Sequence, residues 1–536
     1  MTIQELALPK NLGEYFDPQL STFNPRNIGR DFFVYGNFPI SLSKLINVIL
    51  KIESLAEITI SGRVLSALAD LMIIPLIYLT VLLLEKNIKD KRLTISTHSK
   101  FWASLIYALM VLPIQQAHFF TTDTFLNLFV FTSFYFSLKY FFEKKLIYPI
   151  LAGAFFGLAL ASKITAIFIL PLNISLLILN NCWPIKKQLA KNKFRKNIKK
   201  IFATILIFLI SAYFFLRLAA PYMFESAFIW RVNLNNEFME DLQELKSYSN
   251  DELWFPPAIQ WMDRSMFFGL KNLVIFGLGL ISSVFGILGV GVLIKKIFSL
   301  FKKVKLQKIL LVFALMLFWL FAFLIYYSQQ FVQSMRYYLI IYPFIAIFSG
   351  IGVASFLKKR KNKLLCTTGF MIALSVWPVM FISIYTKSHS RIQASEWIYQ
   401  NVPSGSIILT EHWDDALPVA LVNYQQQYEL YQLPVFAYDN EGKWLEMDES
   451  LAKADYYILS SNRAWGSIMR VPEKYPQMSK FYQDLLSNQA NYQLVAEFNS
   501  YPSLEYLGID ISFNDSFADE AFTVYDHPQV LIFQKK

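Results

Sequence analysis

The chain has 536 residues, of which 55% are hydrophobic, 17% aromatic and only 17% charged. With a mean hydropathy of +0.38 it lies outside the ordinary soluble range and reads as a polytopic α-helical membrane protein. Its two cysteines, Cys182 and Cys366, allow no disulfide framework and no CxxC site, and its five histidines are scattered without an HExxH pattern. No cofactor is expected, a divalent metal staying open, and the net charge of +11 falls in short loops, a distribution that does not suggest nucleic acid.

Residues 1–62 hold no span of their own. "MTIQELALPKNLGEYFDP" lacks the basic and apolar regions of a signal peptide, whereas "DFFVYGNFPISLSKLINVIL" reads as a helix lying along the membrane surface. Ten spans then follow, near 64–84, 102–118, 124–141, 147–161, 164–181, 201–219, 268–293, 309–328, 337–356 and 364–385. Every second connection is short and basic: "EKNIKDKRLTISTHSK", "EKK", "KKQLAKNKFRKNIKK", "KKIFSLFKKVKLQK" and "KKRKNK". The positive-inside rule assigns these five loops to the cytoplasm. By parity the segment before Arg63, the hinges at Asp123, Lys163 and Arg336, the loop 222–267 and everything after Ile384 lie outside. An outside N-terminus with nothing to carry it there predicts one more membrane helix ahead of Met1 in the native protein.

The polar residues placed on the outer side form a set. They are Arg63, Asp123 in "TTDT", Lys163 in "GLALASKITA", Arg217, Tyr222, Gln260, Trp261, and Arg336 with Tyr337 and Tyr338 in "MRYYLII". Ionisable groups at span ends are costly unless paired or functional. The blander reading makes each cation an interfacial anchor and lets Thr122 or Asp123 cap a helix. Taken together, several cations, one acid and many aromatics suit a lipid phosphate that carries a sugar. Cations hold the leaving phosphate, the acid orients a reactant or takes a proton, and rings stack on the sugar. Lys163 fits well: it follows "GAFFGLALAS", whose small residues let helices approach closely, and it has no local carboxylate partner.

The ordered series "FVYGNFPI", "GRVLSALAD", "HFFTTDTFLNLF", "GLALASKITA", "RLAAPYMF", "MRYYLIIYPF" and "ASEWIYQNVPSGSIILTEHWDDALP" resembles the phospholipid-carrier-dependent glycosyltransferases of the GT-C class. Protein O-mannosyltransferases and the aminoarabinose transferase of lipid A belong to that group. The resemblance covers nearly the whole chain. It implies transfer of a monosaccharide from a polyprenyl-phosphate-linked donor to a hydroxyl of a protein, lipid or glycan acceptor, on the outer face of a plasma membrane and with inversion. It also implies an acidic pair in the first outer loop, and here the chain departs from the pattern. Glu14, Asp17 and Asp31 stand in no matching context, and Asp17-Pro18 reads as a turn. Asp123 is the acid that remains, with Lys163, Arg336 and Arg63 for the carrier phosphate and Tyr337, Tyr222, Gln260 and Trp261 toward the sugar.

Residues 63–386 are therefore expected to form the transmembrane domain, 1–62 a first-loop remnant, and 387–536 a separate outer α/β domain. That last part carries about twenty acids against about ten bases, unlike the basic loops. Helical "RIQASEWIYQNV" and "MSKFYQDLLSNQ" alternate with strand-like "SIILT", "YYILSS", "YQLVAEF" and "VLIFQ". Trp413, Asp414 and Asp415 follow a strand, where a sugar or cation can be gripped, although a solvated turn before Pro418 is favoured. The polar loop 222–267 is expected over the mouth of the site or as a solvated connector. Two other classes stay open. A flippase or transporter would also be polytopic, but no internal repeat is visible. A non-catalytic membrane subunit gains weight from the missing acidic pair.

Overall fold

The computed structural model describes residues 2–88, 97–182, 191–248, 256–301 and 308–536. Parts of three basic loops (89–96, 183–190 and 302–307) and residues 249–255 of the long polar loop lie outside the described residues. The chain forms two compact units. One comprises Met1–Lys246, Leu273–Tyr327 and Arg336–Leu374, the other Ser247–Asn272, Ser328–Met335 and Ser375–Lys536.

The first unit is helical. Its elements are α1 (Phe38–Leu50), α2 (Leu55–Leu71), α3 (Ile73–Lys86), α4 (Ser99–Ala108), α5 (Val111–Ala117), α6 (Thr122–Glu143), α7 (Ile147–Ser162), α8 (Leu170–Cys182), α9 (Lys191–Ala219), α10 (Asn236–Ser247), α11 (Leu280–Phe301), α12 (Lys308–Ser328) and α13 (Tyr342–Lys358). The next helix, α14 (Lys363–Ile382), continues into the second unit. Among the described residues eight helices are long and apolar enough to cross a membrane, and the chain is a polytopic membrane protein. The other two of the ten expected spans are shorter. The stretch 102–118 breaks between α4 and α5, because Pro113 has no N–H for the carbonyl of Leu109, and α7 has 16 residues. The span expected from 268 starts only at Leu280, after Gly279 turns the chain at φ +78°.

Burial sorts the spans. The windows in α6 and in Met335–Lys358 are 78% and 89% buried inside the protein, whereas that of Asn197–Ala219 is 28% buried. The first two are apolar on every side and form the middle of the bundle; the last presents most of its surface outward. Gly153 and Gly157 let α7 meet α9, for a Cβ at these positions would stand 2.2 Å from the carbonyl oxygen of Phe208 and 2.3 Å from that of Ala212. This is the small-residue approach that "GAFFGLALAS" announces.

The first 37 residues are fastened to the bundle by side chains. Arg26 pairs with the buried Asp241 on α10, and the same carboxylate accepts the backbone N–H of Phe33 at 2.9 Å. Asp17 accepts the N–H groups of Gln19 and Leu20 at 2.8 and 3.1 Å, so Asp17-Pro18 is the turn expected there.

The second unit carries a five-stranded sheet of β1 (Ile407–Glu411), β2 (Glu429–Leu433), β3 (Tyr456–Leu459), β4 (Tyr492–Phe498) and β5 (Val530–Lys535) in the order β2-β1-β3-β5-β4. β1 runs parallel to β2 and β3, and β5 antiparallel to β3 and β4. Leu409, Tyr457, Leu459 and Phe533 face one core; Ile408, Ile458 and Ile532 face another, closed by Ala394, Ile398 and Val402. The four apolar runs read as strands are strands. "ELYQL" was not among them, because β2 is an edge strand with four of its five residues exposed and carries no buried alternation.

Candidate functional site

Three chain breaks meet at one point in the first unit. α6 begins after Thr121, whose side chain makes no capping bond, and Asp123 lies in its first turn, 4% exposed. α7 ends at Lys163, whose extended backbone (φ −160°, ψ 134°) separates it from the 3-10 turn Ile164–Ile169. The Lys163 Nζ donates to Asp123 Oδ1 at 2.8 Å, with 10% and 6% of the two side chains exposed. Lys163 has no carboxylate partner nearby in sequence, but Asp123, 40 residues away, pairs with it.

Arg336, the second residue of the 3-10 turn Met335–Ile341, completes the cluster. Its guanidinium lies 5.3 Å from the Tyr337 ring and interacts electrostatically with Asp123 and Tyr35. Its Nε is buried without a hydrogen-bond partner. Lys163 Nζ lies 4.9 Å from the Tyr337 ring and 6.0 Å from that of Tyr35. One carboxylate against two cations leaves a net positive charge, an unpaired buried N–H, and two aromatic faces: a setting that attracts an anion joined to a ring-shaped group.

Tyr35 was not singled out from the sequence, although "FVYGNFPI" contains the signal. Gly36 donates its N–H to the carbonyl of Ser162 at 3.2 Å, and a Cβ on it would lie 1.8 Å from the carbonyl oxygen of Ala161. Only glycine lets the first-loop segment rest on the end of α7, and that contact sets Tyr35 beside Lys163.

An apolar groove of about 350 Å³ lies between the segment 168–175 and α12, lined by Phe168, Leu172, Phe318, Trp319, Phe323 and Tyr326 among others. Aromatic rings join it to the charged cluster. Phe168 stands 5.4 Å from Tyr327, and Tyr327 stands 6.2 Å from Tyr337, the ring beneath Lys163. A second polar chain runs inward from the same face of α6. Asn127, one turn beyond Asp123, donates to the Tyr107 hydroxyl at 3.0 Å, which donates to Asp70 at 2.6 Å.

The remaining residues of the expected set are placed elsewhere. Arg63 is exposed on α2 and makes no ion pair or hydrogen bond among the described residues. Tyr222 is buried against Leu6 and Phe23 and shares a 2.7 Å hydrogen bond with Ser21. Arg217, 1% exposed, donates to the carbonyls of Pro221, Ser226 and Phe228 and fastens the chain as it leaves α9. Gln260 and Trp261 belong to the second unit. There the Gln260 amide donates to Pro257 at 2.9 Å, and Trp261 packs edge-on to Phe268. In that unit 413–415 is a turn with Trp413 and Asp415 exposed, but Asp414 is not solvated. The Asp414 side chain is 2% exposed and takes Arg391 at 2.8 Å, while Asp415 takes the same guanidinium at 2.6 Å. Among the described residues no group of three or more His, Cys, Asp or Glu is arranged to hold a metal ion.

No family model matches the chain, and no curated protein matches it. Among solved structures it is similar to the archaeal oligosaccharyltransferase AglB from Archaeoglobus fulgidus, in complex with an inhibitory peptide and a dolichol-phosphate. That likeness has 12% identity and a TM-score of 0.47, covering 98% of this chain and 85% of that one. The same oligosaccharyltransferase tethered to an acceptor peptide gives 14%, 0.48, 99% and 85%. ArnT from Cupriavidus metallidurans bound to undecaprenyl phosphate gives 12% identity and a TM-score of 0.40, over 73% of this chain and 64% of that one.

Proposed function

We propose that this protein is a membrane glycosyltransferase that moves a monosaccharide from a polyprenyl-phosphate-linked donor to an acceptor hydroxyl at the outer membrane surface. The observation that carries the reading is the buried Asp123–Lys163 pair, joined by Arg336 and flanked by Tyr35 and Tyr337, with an aromatic-walled apolar groove linked to it through the ring of Tyr327. A lipid phosphate has the same division, an anion and a sugar at one end and a hydrocarbon chain at the other. Lys163 and the free Nε–H of Arg336 hold the phosphate, the groove takes the first isoprene units, and the rings face the sugar.

Binding of the phosphate draws Lys163 from Asp123 and frees its carboxylate. The acceptor oxygen attacks the anomeric carbon, the bond from that carbon to the phosphate oxygen breaks, and the electron pair leaves with the polyprenyl phosphate. Asp123 orients the acceptor hydroxyl and receives its proton. Direct displacement of this kind inverts the anomeric centre. The acceptor belongs to a protein, a lipid or a glycan.

The test is a transfer assay in vesicles supplied with labelled polyprenyl-phosphate sugar. Asp123→Asn is expected to abolish transfer with normal protein amount and insertion. Undiminished turnover in that variant overturns the proposal; sugar that crosses the bilayer without joining an acceptor identifies a flippase instead.

A further inference from the structure

The long polar loop after α9 does something that its composition does not suggest. Beyond Tyr222 the chain forms a small hairpin, with Phe224 bridged to Leu234, the Glu225 N–H on Asn233 at 3.1 Å and the Asn235 N–H on Met223 at 3.0 Å. Its tip turns at 228–231, where the Arg231 N–H reaches the Phe228 carbonyl at 3.0 Å.

The hairpin folds back along the span it has just left. The Tyr213 hydroxyl donates to the carbonyl of Ile229 and, at 3.2 Å, to that of Arg231. Tyr213 lies inside the candidate span Asn197–Ala219, six residues before its end, which at about 1.5 Å per residue is roughly 9 Å along the helix. Arg217, in the last turn, holds the carbonyls of Ser226 and Phe228. The tip therefore stands level with the last two turns of a membrane span and not above them.

The side chains there are apolar and bare. Trp230 is 77% exposed, Val232 64% and Phe228 54%, and Phe228 and Trp230 stack with centroids 5.0 Å apart. Exposed Ile210, Phe214 and Leu218 extend the same kind of surface along α9. A Trp, a Phe and a Val clustered around one Arg have the composition of a membrane-interface anchor.

We propose that the hairpin Phe224–Leu234 is a lipid-inserted wedge, seated in the leaflet at the C-terminal end of α9, with lipid as its occupant. Its place beside the outward face of a span selects lipid over a water-soluble partner. The base of the wedge packs where it matters: Met223 and Phe224 share a core with Ala161, two residues before Lys163. Insertion of the tip thus sets the depth of the α7 end in the leaflet. This inference rests on the helix, the hairpin and their contacts, and it does not require the proposed reaction.

The experiment uses the full chain with Cys182→Ser and Cys366→Ser, reconstituted in proteoliposomes and carrying one nitroxide at Trp230→Cys or, as a second variant, at Val232→Cys. Collision rates with oxygen, which partitions into lipid, and with a water-soluble nickel chelate are compared with those at Phe214→Cys on α9 and Val422→Cys on the fully exposed loop after β1. Position 230 is expected to match 214 in oxygen access and to show several-fold less nickel access than 422. Nickel access equal to that at 422 makes the hairpin a solvated loop and overturns the proposal. Low access to both reagents means that protein covers the tip and overturns it equally.

Discussion

Replacing Lys163 by Met leaves the buried Asp123 without an ion-pair partner among the described residues, and the structure sets the size of the effect. At 2.8 Å the Coulomb attraction of two unit charges is about 6 kcal/mol with an effective dielectric constant near 20. Burying both ions costs several kcal/mol each, so the intact pair contributes little net stability. Loss of one partner leaves the other ion's desolvation uncompensated, which costs about 3–5 kcal/mol. Lys163→Met should therefore lower thermal stability in detergent markedly. The double change Asp123→Asn with Lys163→Met should recover part of that loss, since both members of the pair are removed together and only Arg336 is left without the carboxylate. Transfer should be absent in both single variants and in the double variant. Stability and activity thus part company in the double variant, a behaviour that a purely structural ion pair does not show. The reasoning fails if Lys163→Met is as stable as the parent, or if the double variant is no more stable than the single one. Activity in the stable double variant would refute the catalytic role alone.

Four further outcomes follow from the same geometry. Arg336→Met should weaken use of the lipid-linked sugar by about 100-fold or more in donor titrations, the usual loss on removing a preorganised stabilising donor, whereas Arg63→Met, at an exposed and unpaired position, should leave it unchanged. Gly36→Ala should lift the first-loop segment from the end of α7 and separate Tyr35 from Lys163, so transfer falls while membrane insertion stays normal; full activity would deny Tyr35 its place. Gly157→Leu should force α7 from α9, seen as loss of monodisperse protein after solubilisation, because the carbonyl of Ala212 stands where its Cβ would go.

In the second unit, burial pushes the Glu411 carboxyl up to about 8 against the bonds it accepts from Tyr457 and Tyr482. Its unfolded value is near 4.5, so between these values the folded state holds a proton that the unfolded state lacks. Stability from this group is complete below pH 4.5 and falls by up to about 1.4 kcal/mol per unit as pH rises toward 8. Thermal unfolding of the parent and Glu411→Gln across pH 5 to 8 should diverge in slope, and parallel curves would exclude a neutral Glu411.

Eight of the ten expected spans, the small-residue face of α7 and four of five strands were legible in the chain because each depends on local periodicity and length. The residues of the charged cluster were legible too, one by one, as ionisable groups at span ends. Which cation Asp123 pairs with was not, since Asp123 and Lys163 belong to different helices and no local rule links positions 40 apart. Arg217 illustrates the converse: a buried cation that looked functional by itself is consumed by three carbonyls of its own loop. The hairpin at 224–234 reads as polar because Asn and Glu flank it, yet Tyr213 and Arg217 turn its apolar tip along a span. The sequence by itself therefore determined the membrane class and the inventory of charges. Tertiary structure alone decided which charges meet, which are spent on backbone carbonyls, and which apolar side chains remain bare, because burial and pairing are properties of the space between elements.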